Sequence, residues 1–300
     1  MVAVATGTFR VRRRRWCVGM LSRRDTPSHG ANVESTQPTS RAGASRRRSG
    51  RAGAYVRIFS IGLTAVFLVF AALEASVVIP PAYANGITLG MDFTIYQDRA
   101  ASWLAGDGFY YPYQLAGPYV VGAVAPPALY PPTLLYVLVP FTVLPAFLWW
   151  AIPLGIISAS LWRLRPPIWT WPILAAVLCY PRTWIILVYG NPSLWALAAL
   201  AAGLVWKWPL AFVAIKPTLA PFALLGIRSR AFWTGVLFAA ALALPFSSMW
   251  LDYVTAMLNA RNGFGLEYLV GELPIALAIV IASMGRGEAR RMRLANAPSA

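Results

Sequence analysis

Apolar residues in this chain come in long blocks broken by short clusters of arginine, proline and glycine. They do not alternate as in a half-buried sheet. The first block, about Ile58 to Ile79, is long enough to cross roughly 30 Å of hydrocarbon. A proline-punctuated stretch then runs from Tyr130 to Trp162. Its first part, with Pro140 and Pro145, reads as an interfacial segment and its second as a returning span. Residues 168–181 lead out again and 192–206 return. The block 208–227 is different, because Lys207 and Arg228 at its two ends favour the same side of a membrane. A broken, re-entrant hairpin with Lys216 at its apex satisfies both ends, since Pro217 interrupts helical hydrogen bonding there. Residues 231–246 cross outward and 268–284 cross back. The expected fold is all-α: a polytopic transmembrane helical bundle of about six spans plus one hairpin.

Composition agrees with this pattern. The chain is 58% hydrophobic and 12% charged, with a mean hydropathy of +0.59. A soluble domain carries roughly twice that charged share. A soluble enzyme, a disordered chain and a disulfide-stapled secreted protein are therefore excluded. The net charge of +16 would suggest nucleic acid if it were spread over a folded face. Instead, residues 1–57 hold thirteen arginines against Asp25 and Glu34. That segment reads as a disordered, Arg-rich tail, cytoplasmic by the positive-inside rule. Residues 58–284 then form the membrane domain, 83–130 the first extracytoplasmic loop and 285–300 a second basic cytoplasmic tail. The expected setting is the cell membrane, with the lipid bilayer as partner and no nucleic acid.

Few residues can carry chemistry. His29 is the single histidine, and Cys17 and Cys179 sit in unrelated contexts, so zinc and histidine catalysis are not expected. No metal or cofactor is implied. The richest cluster opens the first outer loop, Asp92-Phe93-Thr94-Ile95-Tyr96-Gln97-Asp98-Arg99, which as a helix would lie in the interface plane. Asp92 and Asp98 are six residues apart and face different ways, so one carboxylate acting alone is the better reading. Asp92 also suits an N-cap, and Asp98 an exposed partner of Arg99. Lys216 and Arg182 are candidate anion-binding cations. Their plainer readings are a snorkelling lysine and a helix end at the headgroups. Tyr96 and its neighbouring aromatics can stack on sugar rings or belong to an interfacial belt.

The pattern Asp92-Phe93-x-x-Tyr96-x-x-x-Ala100-Ala101-x-x-Leu104-x-Gly106-x-x-x-Tyr110 resembles the first-loop motif of glycosyltransferase family 87. Tyr130-Pro131-Pro132, Gly190-Asn191 and Ile215-Lys216-Pro217-Thr218 are similar to later motifs of that family, in the same order. The resemblance covers about residues 58–246. It implies a GT-C-like bundle that transfers mannose from a polyprenyl-phosphate donor to a glycan or glycolipid acceptor on the extracytoplasmic side. Asp92 would then be the general base, and Asn191 and Tyr96 would belong to the substrate site. A cation would stabilise the leaving phosphate, with Lys216 first, Arg182 second and Arg261 third. The chain departs from the family in length, with about two spans after the Lys-Pro segment where members have several more. Two other classes of function stand beside this one. A transporter or flippase would use Lys216 at a broken helix as its binding site. A non-catalytic membrane subunit descended from such an enzyme would be indifferent to Asp92.

Overall fold

The computed structural model describes residues 41–84, 88–121, 127–261 and 270–295. The chain divides into Met1–Arg47, of which residues 41–47 are described and helical, and Arg48–Ala300, which carries everything below. The fold is almost wholly helical. Its α-helices are α1 (Arg41–Ala84), α2 (Met91–Ala105), α3 (Pro112–Ala116), α4 (Leu135–Leu138), α5 (Leu148–Leu164) and α6 (Trp171–Leu178). They continue with α7 (Pro181–Tyr189), α8 (Ser193–Trp206), α9 (Arg230–Ala243), α10 (Ser247–Asn259) and α11 (Leu273–Ala295). Two short strands, β1 (Tyr119–Val120) and β2 (Ala260–Arg261), pair in parallel.

The helix expected from Ile58 begins at Arg41, so residues 41–57 of the expected disordered tail are helical. The rest of that tail, including Cys17 and His29, lies outside the described residues. So do residues 296–300 at the other end. The part of the C-terminal tail that is described, 285–295, continues α11.

Among the described residues two helices are long and apolar enough to cross a membrane: Gly53–Val77 within α1, and the run Arg230–Asn259 formed by α9 and α10. A third span arises if α6 and α7, bent by 66° with the preceding turn Ile168–Thr170, are taken as one. On α1, Phe59, Val66, Val69, Phe70 and Leu73 are all exposed, a surface that suits hydrocarbon rather than water. The six expected spans are therefore not all present as full-length helices. Ser193–Trp206 has 14 residues, about 21 Å at the standard rise, and Pro192 and Pro209 bound it. Leu148–Leu164 is likewise flanked by Pro145 and Pro166. The span expected to end at residue 246 instead runs on to Asn259, because Pro245 occupies a single 3-10 turn that does not break the helix axis.

The block 208–227 is two 3-10 helices, Trp208–Ile215 and Pro217–Gly226, packed on each other, with Lys216 extended between them (φ −109°, ψ 102°). Glycines let the neighbours close on this pair. A methyl group at Gly203 of α8 would stand 2.5 Å from Leu210 Cγ and 2.8 Å from its backbone nitrogen. A Cβ at Gly235 of α9 would run into the Trp208 carbonyl.

Two apolar cores result. One gathers Leu197, Leu200, Leu204, Leu210, Leu219, Phe232 and Ile279. The other is aromatic, with Phe93, Tyr96, Phe109, Tyr110, Tyr130, Phe141 and Trp149. Trp150 and Ile215 pack against both. Gly203→Ala should cost about 1–3 kcal/mol of stability, because the added carbon forces Leu210 and its backbone to shift. The check is a lowered thermal unfolding midpoint of the detergent-solubilised protein.

Candidate functional site

The site forms where α2, α7, α8, the 208–226 pair and the start of α11 converge. Gly90 precedes α2 in the left-handed region (φ 80°), and its N–H donates to the Val188 carbonyl at 2.7 Å. That bond ties the start of α2 to the end of α7. Gly190 ends α7 with φ 65°, and a Cβ there would lie 2.8 Å from the Trp150 ring. The Trp149 indole N–H donates to the Gly190 carbonyl and that of Trp150 to the Leu187 carbonyl, both at 2.7 Å. Only glycine fits such a crowded left-handed position cheaply. The next residue, Asn191, is thereby aimed at α2.

Asn191 Nδ2 donates to Asp92 Oδ2 at 2.6 Å. Its Oδ1 accepts the Ser193 N–H at 2.9 Å, a local turn bond over the Asn-Pro-Ser sequence that leads into α8. A backbone N–H can only donate, so the amide orientation is fixed and Asp92 is the acceptor. Asp92 itself is not the N-cap of α2; Gly90 is, and Asp92 sits in the first helical turn. Burial pushes the Asp92 carboxyl above the ordinary aspartate value of 3.8, against the Asn191 hydrogen bond and the charges of Lys216 and Arg182.

From Asn191 the network continues inward. The Tyr130 hydroxyl donates to Asn191 Oδ1 at 2.8 Å and lies 3.1 Å from Ser193 Oγ. Lys216 Nζ donates to the Tyr130 hydroxyl at 3.2 Å and stands 3.5 Å from Glu272 Oε1. Ser193 Oγ and an Arg182 guanidinium nitrogen each donate to the same Glu272 oxygen at 3.2 Å. Burial raises the Tyr130 phenol, so it works as a hydroxyl and not as a phenolate.

Four of the five expected site residues thus share one hydrogen-bonded network: Asp92, Asn191, Lys216 and Arg182. The fifth, Tyr96, is 6% exposed and packs edge-on against Tyr130, with ring centroids 5.2 Å apart. It joins the network through that ring. Lys216 does not snorkel. It is 1% exposed, held between Tyr130 and Glu272. Arg261 lies elsewhere, exposed in the β1–β2 pair. Asp98 is exposed, while Arg99 donates to Ser102 and stacks on the Tyr111 ring.

Glu272 was absent from the expected set, as were Tyr130 and Ser193. Glu272 carried the same signal that singled out Lys216, a charge inside an apolar block, with Pro274 in the following turn. Among the described residues no group of three or more metal-ligating side chains occurs.

No family model, no curated protein and no solved structure matches this chain.

Removing one hydroxyl tests the network's contribution to folding. Tyr130→Phe leaves Lys216 and Asn191 each short of a buried partner, which should cost about 1–3 kcal/mol. The loss is read as a lower melting temperature in detergent with an unchanged helical circular-dichroism spectrum.

Proposed function

We propose that this protein is a membrane glycosyltransferase, anchored in the cell membrane with its N-terminus cytoplasmic. On this reading it takes a sugar, mannose in the family its motifs resemble, from a polyprenyl-phosphate donor. A glycan or glycolipid acceptor receives the sugar on the extracytoplasmic side. The observation that supports the reading is one carboxylate, Asp92, oriented by Asn191 within charge reach of two cations, Lys216 and Arg182.

The chemistry follows from that arrangement. A sugar hydroxyl is a poor nucleophile, and a fixed carboxylate raises its reactivity by accepting the proton as the oxygen attacks. The acceptor O–C1 bond forms while the C1–O bond to phosphate breaks, and the electron pair leaves on the polyprenyl phosphate. Lys216 and Arg182 stabilise the charge that develops there. A single carboxylate fits direct displacement with inversion, since a covalent intermediate would need a second carboxyl beside the sugar. Asp92 is suited to the task by its raised basicity, because desolvation makes the ionised form a better proton acceptor than an exposed aspartate.

The test is transfer from radiolabelled polyprenyl-phosphate mannose in membranes containing the full chain. Asp92→Asn should fold, keep the Asn191 contact region, and lose at least about a hundredfold in transfer. Undiminished transfer in that variant would remove Asp92 from the mechanism. No transfer by the native chain with any polyprenyl-phosphate sugar would remove the reaction class.

The pH profile gives a separate check. Because Asp92 must be ionised to act, kcat/KM should fall as pH drops through a midpoint above 3.8. The Asn191 amide stabilises the carboxylate, so Asn191→Ala should move that midpoint to still higher pH as well as slowing transfer.

A further inference from the structure

We infer that Glu272 is a positioning residue that sets the charge of the phosphate site, so that the site favours the singly charged donor over the doubly charged product. The inference rests on the donor class proposed above.

All three polar contacts of the Glu272 side chain fall on one oxygen. Oε1 meets Arg182 at 3.2 Å, Ser193 at 3.2 Å and Lys216 at 3.5 Å. Oε2 is buried and has no partner among the described residues, and the residue is 1% exposed. A glutamine would offer the same Oε1 to the same donors. What the carboxylate adds is therefore its charge, while its second oxygen stays buried and unpaired.

That charge changes what the neighbouring cations can hold. Lys216 and Arg182 with Glu272 and the ionised Asp92, which lies within their charge reach, sum to zero net charge; without Glu272 they would sum to one positive charge. A glycosyl polyprenyl phosphate is a phosphodiester with one negative charge. The polyprenyl phosphate released from it is a monoester that carries two above its second ionisation near pH 6. Attraction to the site grows in proportion to ligand charge, whereas the cost of stripping water grows with its square. Each positive charge added to the site therefore shifts its preference from the diester toward the monoester. Arg182 is the side on which phosphate would enter. Its side chain is 21% exposed where that of Glu272 is 1%, and its buried Nε has no partner among the described residues.

Glu272 thus serves turnover rather than bond cleavage. It keeps the cation pair strong enough to bind donor yet too weak to retain product. The proton that Asp92 takes adds one positive charge to the cluster at the moment the dianion forms. When Asp92 loses that proton the hold on the product weakens again.

The experiment measures binding of farnesyl phosphate and of its methyl phosphodiester to the full-length protein in nanodiscs at pH 8, with no sugar present. The two probes share the lipid and differ by one charge. The native chain should bind the diester at least as tightly as the monoester. Glu272→Gln should shift the affinity ratio toward the monoester by about tenfold or more. The double variant Glu272→Gln/Arg182→Gln restores the native net charge and should return the ratio toward native, which a merely structural role for Glu272 would not do. An unchanged ratio in Glu272→Gln overturns the inference and leaves the donor class standing. A native chain that prefers the monoester by tenfold overturns it with no variant needed. Binding of neither probe to the native chain overturns both the inference and the proposed donor.

Discussion

The Glu272 carboxylate, buried between Lys216 and Arg182, is the contact on which the centre of this molecule depends. Three elements far apart in sequence supply its members: the start of α11, the junction at residue 216 and the first turn of α7. None of these charges would be stable alone at that depth, because an isolated ion loses several kcal/mol on leaving water. Each is therefore held to the others, and the helices that carry them are held too. The ion cluster offers little net stability against an apolar replacement, but breaking it by removing one partner would strand the rest. Its value lies in specifying which helix ends meet.

The surrounding architecture is built to let those ends approach. Prolines bound several of the short helices, among them α5 and α8. Lys216 sits at a junction, extended between two 3-10 helices. Gly203 and Gly235 remove the side chains that would keep α8 and α9 off this pair. The indole N–H groups of Trp149 and Trp150 occupy the last carbonyls of α7, so its C-terminus is satisfied while turning sharply into α8. Polar groups are in this way paired inside an otherwise apolar molecule, as a bilayer setting demands.

Much of this was legible in the chain before any coordinates. Asp92, Arg182 and Lys216 stood out because charged groups beside long apolar runs are expensive, Asn191 entered through the motif it resembles, and the four meet in space. The hairpin at 208–227 followed from two cations with the same side preference. Glu272 carried an equal signal yet escaped notice, since it sits at the edge of a block read as an ordinary span. Tyr130 and Ser193 gave less warning, because a tyrosine before two prolines and a serine at a helix start both have commonplace explanations. Helix length was harder to read than apolar content, for a physical reason. Hydropathy measures how apolar a stretch is, while proline placement decides how long a helix it can make, as Ser193–Trp206 shows.

The path from Arg182 to Asn191 has a mechanical consequence. Helix α7 joins these two residues as a rigid rod of nine residues, about 13 Å long. Tyr130 donates to Asn191, Lys216 donates to Tyr130 and pairs with Glu272, and Glu272 accepts from Arg182, which leads back to the start of the helix. Rod and chain together close a ring. A closed ring cannot shear at one point without deforming everywhere, so a tug on the guanidinium at one end is transmitted to the amide at the other. In the reaction proposed above, proton removal and phosphate departure would thereby be geared to one another through a single strut.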